Sequence, residues 1–279
     1  MPSSAWNRCP TSPACARAMH VKARLQWLLS GHAPWLDALI DEAEALARAA
    51  QHFPVQARLT VLRAAIAYAH RGDMVLGESL YRGALAMWER LRNQHAVNGG
   101  RYFVALMLHE AGRHEEAIAG ADEVVQSARR LDDIRRVSQA LQVRGKAQAA
   151  LRRWRDAAAS LRESIRLAWG AMAPVELTRA MRDLPPVLAH LHEGEAAVRL
   201  QAYSAAAART HVGRADQYDM RQEKRVRRLV RKQMAPARWQ ALHREGTGLG
   251  PADAVALALH EAPGSADSAP PAGAARRQP

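Results

Sequence analysis

The stretch His-Glu-Ala-Gly-Arg-His-Glu-Glu-Ala-Ile, residues 109–118, holds the residue types a metal site needs: two imidazoles and two adjacent carboxylates. A zinc-protease motif requires His-Glu-x-x-His, with histidines four apart on one helical face. Here His109 and His114 are five apart and Gly112 lies between them, so they diverge. The stretch reads instead as a corner: His109-Glu110 ends one helix, Gly112 turns the chain, and Glu115-Glu116 opens the next, where a carboxylate meets the positive end of the macrodipole. Other candidate chemistry fails on similar grounds. The remaining histidines are scattered, and His190 and His192, two apart, fall on different faces of a helix. No Gly-x-Ser-x-Gly elbow occurs, and both cysteines, Cys9 and Cys15, lie in the Pro/Ser-rich lead. The glycines of Gly246-Thr-Gly-Leu-Gly follow a helical pattern rather than a strand, so they predict a turn with Gly246 and Gly248 as helix C-caps. The single Gly-Lys pair, Gly145-Lys146, is followed by Ala147, which excludes a P-loop there. The expectation is a protein without catalytic residues, metal or cofactor.

Elements that would position such residues are helical. Of 279 residues 48% are apolar but only 5% aromatic. Alanine, leucine, arginine and glutamate dominate, which favours helix, and no run alternates with period two. No apolar stretch approaches the roughly 18 residues of a membrane span. The start lacks an apolar signal core, and two lead cysteines make no disulfide framework, which together point to the cytoplasm. Lys plus Arg number 40 against 27 acids, a formal charge of +13. Such a balance attracts nucleic acid or acidic partners.

The chain repeats itself every forty residues. Ala-Tyr-Ala-His-Arg-Gly-Asp (67–73), Leu-His-Glu-Ala-Gly-Arg (108–113) and Ala-Ala-Leu-Arg-Arg-Trp (149–154) each join two helical patterns, with breaks at Gly72, Gly112 and Arg152. Five residues after each break stands a small residue, Gly77, Ala117 or Ala157, and twelve before each of those stands another, Ala65, Ala105 or Gly145. Antiparallel helices approach closely where both carry small side chains; Tyr68, Tyr81, Leu108 and Leu161 fill the space beside the contact. One hairpin cannot bury its own apolar face, so neighbours must stack on it. An earlier hairpin is expected around Gly31, with helices near 17–30 and 34–51, and a later one turning at Glu193-Gly194, with Ala197 its small residue. Pro54 and Pro174 mark helix starts, and Pro185-Pro186 should start or kink a helix.

These small-residue positions, with Tyr68 at an aromatic one, resemble the tetratricopeptide repeat family over roughly 20–210. The period of forty departs from that family's 34, and its terminal proline is missing. The resemblance implies an all-α, right-handed superhelix of about five hairpins whose first helices line a concave face. Tyr102, His109, Gln142 and Lys146 would then point inward to contact a peptide or effector.

The tail carries two further blocks. The first is Ala196-Ala197-Val198-Arg199-Leu200-Gln201-Ala202-Tyr203. The second holds Arg228-Leu229, Met234, Trp239, Glu245-Gly246, Leu249, Ala254-Val255 and Ala258-Leu259. In order and spacing they resemble the end of the tetratricopeptide-like array in large bacterial ATPase-containing transcriptional regulators of the LuxR-type and winged-helix kinds. This implies a sensor or interaction module that binds a protein partner, related to signal transduction, without ATPase or DNA-binding segments of its own.

The alternative lies in the basic run 221–238. Arg221, Lys224, Arg225, Arg227, Arg228, Arg231, Lys232 and Arg238 surround a face of Val226, Leu229, Val230 and Gln233. Charge runs are usually solvated faces; the functional alternative is contact with nucleic-acid phosphates through Arg221, Lys224, Arg225, Arg228, Arg231 and Lys232. No aromatic for base stacking lies on this helix. The expected organisation is a disordered lead 1–16, a hairpin array 17–214, a C-terminal helical cap 215–261 and a disordered tail 262–279.

Overall fold

The structure is a computed structural model that describes residues 12–31, 33–212 and 217–260. All regular structure among them is α-helix: α1 Pro13–Ser30, α2 Pro34–Ala49, α3 Phe53–Ala69, α4 Met74–Arg90, α5 Gln94–Glu110, α6 His114–Arg129, α7 Ile134–Ala150, α8 Trp154–Gly170, α9 Pro174–His190, α10 Gly194–Val212, α11 Gln217–Val230, α12 Pro236–Thr247 and α13 Pro251–Leu259. The expected all-α hairpin architecture is therefore what the chain adopts. α1 begins earlier than expected, because the Ser12 hydroxyl caps it and Pro13 occupies its first turn; residues 13–16 thus belong to a helix, and Cys15 and Ala16 are buried. Residues 1–11 and the tail 262–279 lie outside the described residues.

One device repeats along the chain. Left-handed residues stand at Gly31, Gln51, Gly72, Arg92, Gly112, Asp132, Arg152, Met172 and His192, so one interrupts the chain every twenty or twenty-one residues. Helices of about seventeen residues, about 26 Å long, alternate with corners of three or four residues. At most corners the residue after the left-handed one donates its N–H five residues back. Asn93 donates to Trp88 (3.2 Å), Asp133 to Ala128 (3.0 Å), Arg153 to Gln148 (2.9 Å), Ala173 to Ala168 (2.9 Å) and Glu193 to Leu188 (2.9 Å). That is the six-to-one bond closing a Schellman cap. The same following residue often caps the next helix: Asp73, Asn93 and Asp133 accept from the N–H groups of Leu76, Ala96 and Arg136. The forty-residue period is thus two such steps.

The chain divides into two compact units, Met1–Ala111 and Gly112–Pro279. In the first, α1–α5 pack in sequence, with a core of Leu36, Ile40, Leu59, Leu62 and Ile66 beneath Met19 and Ala23. Gly77 of α4 lies against α3, where an added Cβ would sit 3.4 Å from Tyr68 Cβ and 3.5 Å from the Ala64 carbonyl. Tyr81 is buried and stacks on Phe103 at 4.7 Å, and its burial raises the phenol's pKa.

In the second unit α6–α10 form successive antiparallel neighbours. Gly145 presses on Leu161, whose Cγ would lie 2.8 Å from an added Cβ, and on the Ala157 carbonyl; this is the close contact expected of that pair. Ala105 and Ala117 are both buried, one in each unit. α11 packs on α9 and α10, α12 on α10, and α13 on α8 and α10, around Leu184, Leu188, Leu200, Val226, Val230, Leu242 and Val255.

Three expectations need correction. Pro185-Pro186 do not start a helix; they are buried inside α9. Gly246 is not a cap but a buried residue of α12 pressed on α10, where a Cβ would fall 2.2 Å from the Arg199 carbonyl oxygen; Gly248 holds the cap position. The basic helix stops at Val230, so Gln233 leaves the expected apolar face and lies exposed, with its amide donating to the Ala189 carbonyl.

Candidate functional site

The stretch 109–118 is a corner. α5 ends at Glu110, Gly112 is left-handed with φ 79°, and Glu115 and Glu116 lie in the first turn of α6. Glu115 pairs with Arg153, and Glu116 with Arg113. Among the described residues no group of three His, Cys, Asp or Glu side chains could hold a metal ion.

The four residues expected on a concave face come two from each unit. Tyr102 and His109 belong to the first unit and are half-buried, Tyr102 edge-on to Phe103 at 5.0 Å. Gln142 and Lys146 belong to the second. Gln142 is corrected from a surface contact to a core one. It is 6% exposed, and its amide nitrogen donates to the Glu176 carbonyl at 3.1 Å and the Ser164 hydroxyl at 3.2 Å. Around it Ser138 and Ser164 hydroxyls meet at 2.8 Å, and Gln139 donates to the buried Glu176 carboxylate at 2.8 Å. A buried amide must be satisfied, and here α7, α8 and α9 satisfy one another. The Gln142 amide nitrogen is therefore already engaged between helices. Lys146 is half-buried.

The basic run, expected as one helix over 221–238, is divided between α11, the turn after it and α12. On α11 Val226 and Val230 are buried, while Arg221, Lys224, Arg225, Arg227 and Arg228 are exposed; Arg231 and Lys232 follow in the turn and are exposed too. Among the described residues Lys224, Arg225, Arg228, Arg231 and Lys232 form no ion pair. Arg238 differs: both carboxylate oxygens of Glu195 hold it at 2.9 Å. Arg227 lies over the Trp239 ring, 4.9 Å from its centroid, and so ties α11 to α12.

Sequence reasoning missed a partner to this helix. Trp154, the first residue of α8, stacks on His190, the last of α9, with ring centroids 3.8 Å apart and planes 9° apart. Both rings are partly exposed. His190 has a lowered pKa because burial disfavours its cation and because Arg225 of α11 and Arg152 of the α7–α8 corner repel it. The signal available in the sequence was the period itself. Trp154 follows the corner residue Arg152 by two, and His190 precedes the corner residue His192 by two. Corners forty apart lie at the same end of a stack. That α11 would lay Arg225 beside them was not legible, because residues 213–216 leading into α11 carry no pattern.

No protein-family model matches the chain, and no curated protein does. Among solved structures, the crystal structure of BtubC (BKLC) from P. vanneervenii aligns with 89% of this chain and 95% of that one, at 16% identity and a TM-score of 0.49. A likeness of that size carries no argument about function. No helix among the described residues is long and apolar enough to cross a membrane.

Proposed function

We propose that this chain is a non-catalytic, cytoplasmic interaction module, related to the C-terminal hairpin array of bacterial ATPase-containing transcriptional regulators, that works by binding a protein segment or effector. The observation that supports this reading is that the two tail blocks behind that resemblance are packed on each other. Gly246 of the second block has no room for a side chain against the Arg199 backbone of the first, and Arg199 Nε donates to Glu245 at 2.8 Å. Binding would change the partner's state through differential affinity. Cross-linking the full chain in its own cells, followed by peptide identification, tests the reading: cross-links to an ATPase-containing regulator are expected, and cross-links confined to nucleic acid would overturn it.

A second reading is favoured by Lys224, Arg225 and Arg228 of α11, which are exposed and form no ion pair among the described residues: contact with nucleic-acid phosphates. Each neutralised phosphate steepens the fall of affinity with salt by about 0.7–0.9 in the logarithmic slope. A salt series with labelled DNA should give a slope of several units, and absence of binding at low salt would remove this reading.

A further inference from the structure

We infer that the end of the C-terminal unit formed by the start of α8, the end of α9 and the exposed face of α11 binds single-stranded nucleic acid, a base stacking at the Trp154–His190 pair and the strand's phosphates running along α11. The inference rests on the phosphate reading of α11 and adds what that reading lacked, an aromatic element.

The three parts come from different elements. The stacked rings are partly exposed at a corner of the hairpins, where every base has a π-face that can join a stack. Arg152, exposed and left-handed at the α7–α8 corner, and Arg225, exposed on α11, flank them, and neither forms an ion pair among the described residues. Burial and then the charges of Arg225 and Arg152 lower the proton affinity of His190, so both cations lie within electrostatic reach of the stacked pair. From Arg221 to Arg228 the exposed cations extend along about 10 Å of helix, some three charge spacings of one strand. Docking through Val226 and Val230, with Arg227 over Trp239, holds that row in place. A row of this length exceeds the reach of a mononucleotide. A duplex can use the cations but keeps its bases inside, away from Trp154.

The test compares three polyanions on the full chain by fluorescence anisotropy: an oligothymidylate, a duplex of the same length, and inorganic polyphosphate. Wild type should bind the oligothymidylate about tenfold more tightly than polyphosphate of equal charge. Trp154→Leu should lose about that factor for the oligothymidylate and leave duplex and polyphosphate binding unchanged. Arg225→Gln should weaken all three and flatten the salt dependence by about one phosphate. Photocross-linking of a 5-bromouracil oligonucleotide to the wild type needs no variant and should place the bond in the peptides carrying Trp154 or His190. Equal affinity for all three polyanions, or cross-links only elsewhere, would overturn the inference while leaving α11 a phosphate-binding helix. Failure to bind any of them would remove both.

Discussion

The hydroxyl of Ser204 on α10 donates to the carbonyl of Met181 on α9 at 3.0 Å. Met181 is four residues before Pro185, so its carbonyl is the one that a proline, lacking an N–H, leaves without a helical donor. The serine is fully buried and also reaches its own helix at the Leu200 carbonyl, 2.7 Å away. One of the two carbonyls that the consecutive prolines orphan is thus met from the neighbouring helix, by a hydroxyl whose one hydrogen is shared with the Leu200 carbonyl.

Ser204→Ala should destabilise the chain by about 1–3 kcal/mol, the usual consequence of leaving a buried carbonyl unpaired. In a Pro185→Ala background, where an N–H returns to position 185, the same change should have a smaller effect. A double-mutant cycle read by denaturant unfolding isolates the coupling. Equal effects in both backgrounds would show that the serine does not serve the proline's orphan.

Three glycine-to-alanine changes should rank by geometry. Gly77→Ala meets Tyr68 Cβ at 3.4 Å, ordinary contact, so the gain in helix propensity, up to about 1 kcal/mol, should prevail. Gly145→Ala drives a methyl into Leu161 and should cost about 1–3 kcal/mol. Gly246→Ala collides with the Arg199 backbone, which cannot rotate away, and should be the most damaging. Helical circular dichroism against denaturant gives all three midpoints, and any other order counts against the packing described.

Met172 is left-handed at the α8–α9 corner and 54% exposed. Glycine there removes the Cβ strain of that conformation, worth about 1–2 kcal/mol, at some cost in unfolded-chain entropy. Met172→Gly should raise stability by about 0.5–1 kcal/mol, and Gly112→Ala should lower it by a similar amount. Thermal unfolding of both variants checks the signs.

His20 is 6% exposed in the first unit, and its pKa is lowered to about 4 by burial and by the charges of Arg58 and Arg24. Above pH 6.5 the imidazole is neutral whether the chain is folded or not, so it imposes no penalty. As pH falls from 6.5 toward 4, the unfolded chain takes up a proton that the folded one refuses. Stability should decline over that window, by at most about 3 kcal/mol, and level off below it. His20→Gln should remove this part of the pH dependence; an identical profile in the variant would show that His20 is not its source.

Helix and period were legible in the sequence because both are local. Alanine-rich segments of about seventeen residues carry a strong local preference for helix, and Gly72 and Gly112 mark corners since only glycine turns left-handed without strain. Corners at Arg92 and Met172 were not legible, because nothing in those side chains favours the conformation; stacking of the flanking helices imposes it. The same division runs through the candidate site. Composition and spacing determined that residues 221–232 form a cationic surface around Val226 and Val230. Only the tertiary structure decided that Gln142 is spent inside a hydrogen-bonded core, that Gly246 serves contact rather than capping, and that Trp154, His190 and Arg225, from three separate helices, share one corner. Local propensity acts over a few residues, whereas those assignments depend on which helix a side chain meets once the hairpins have packed.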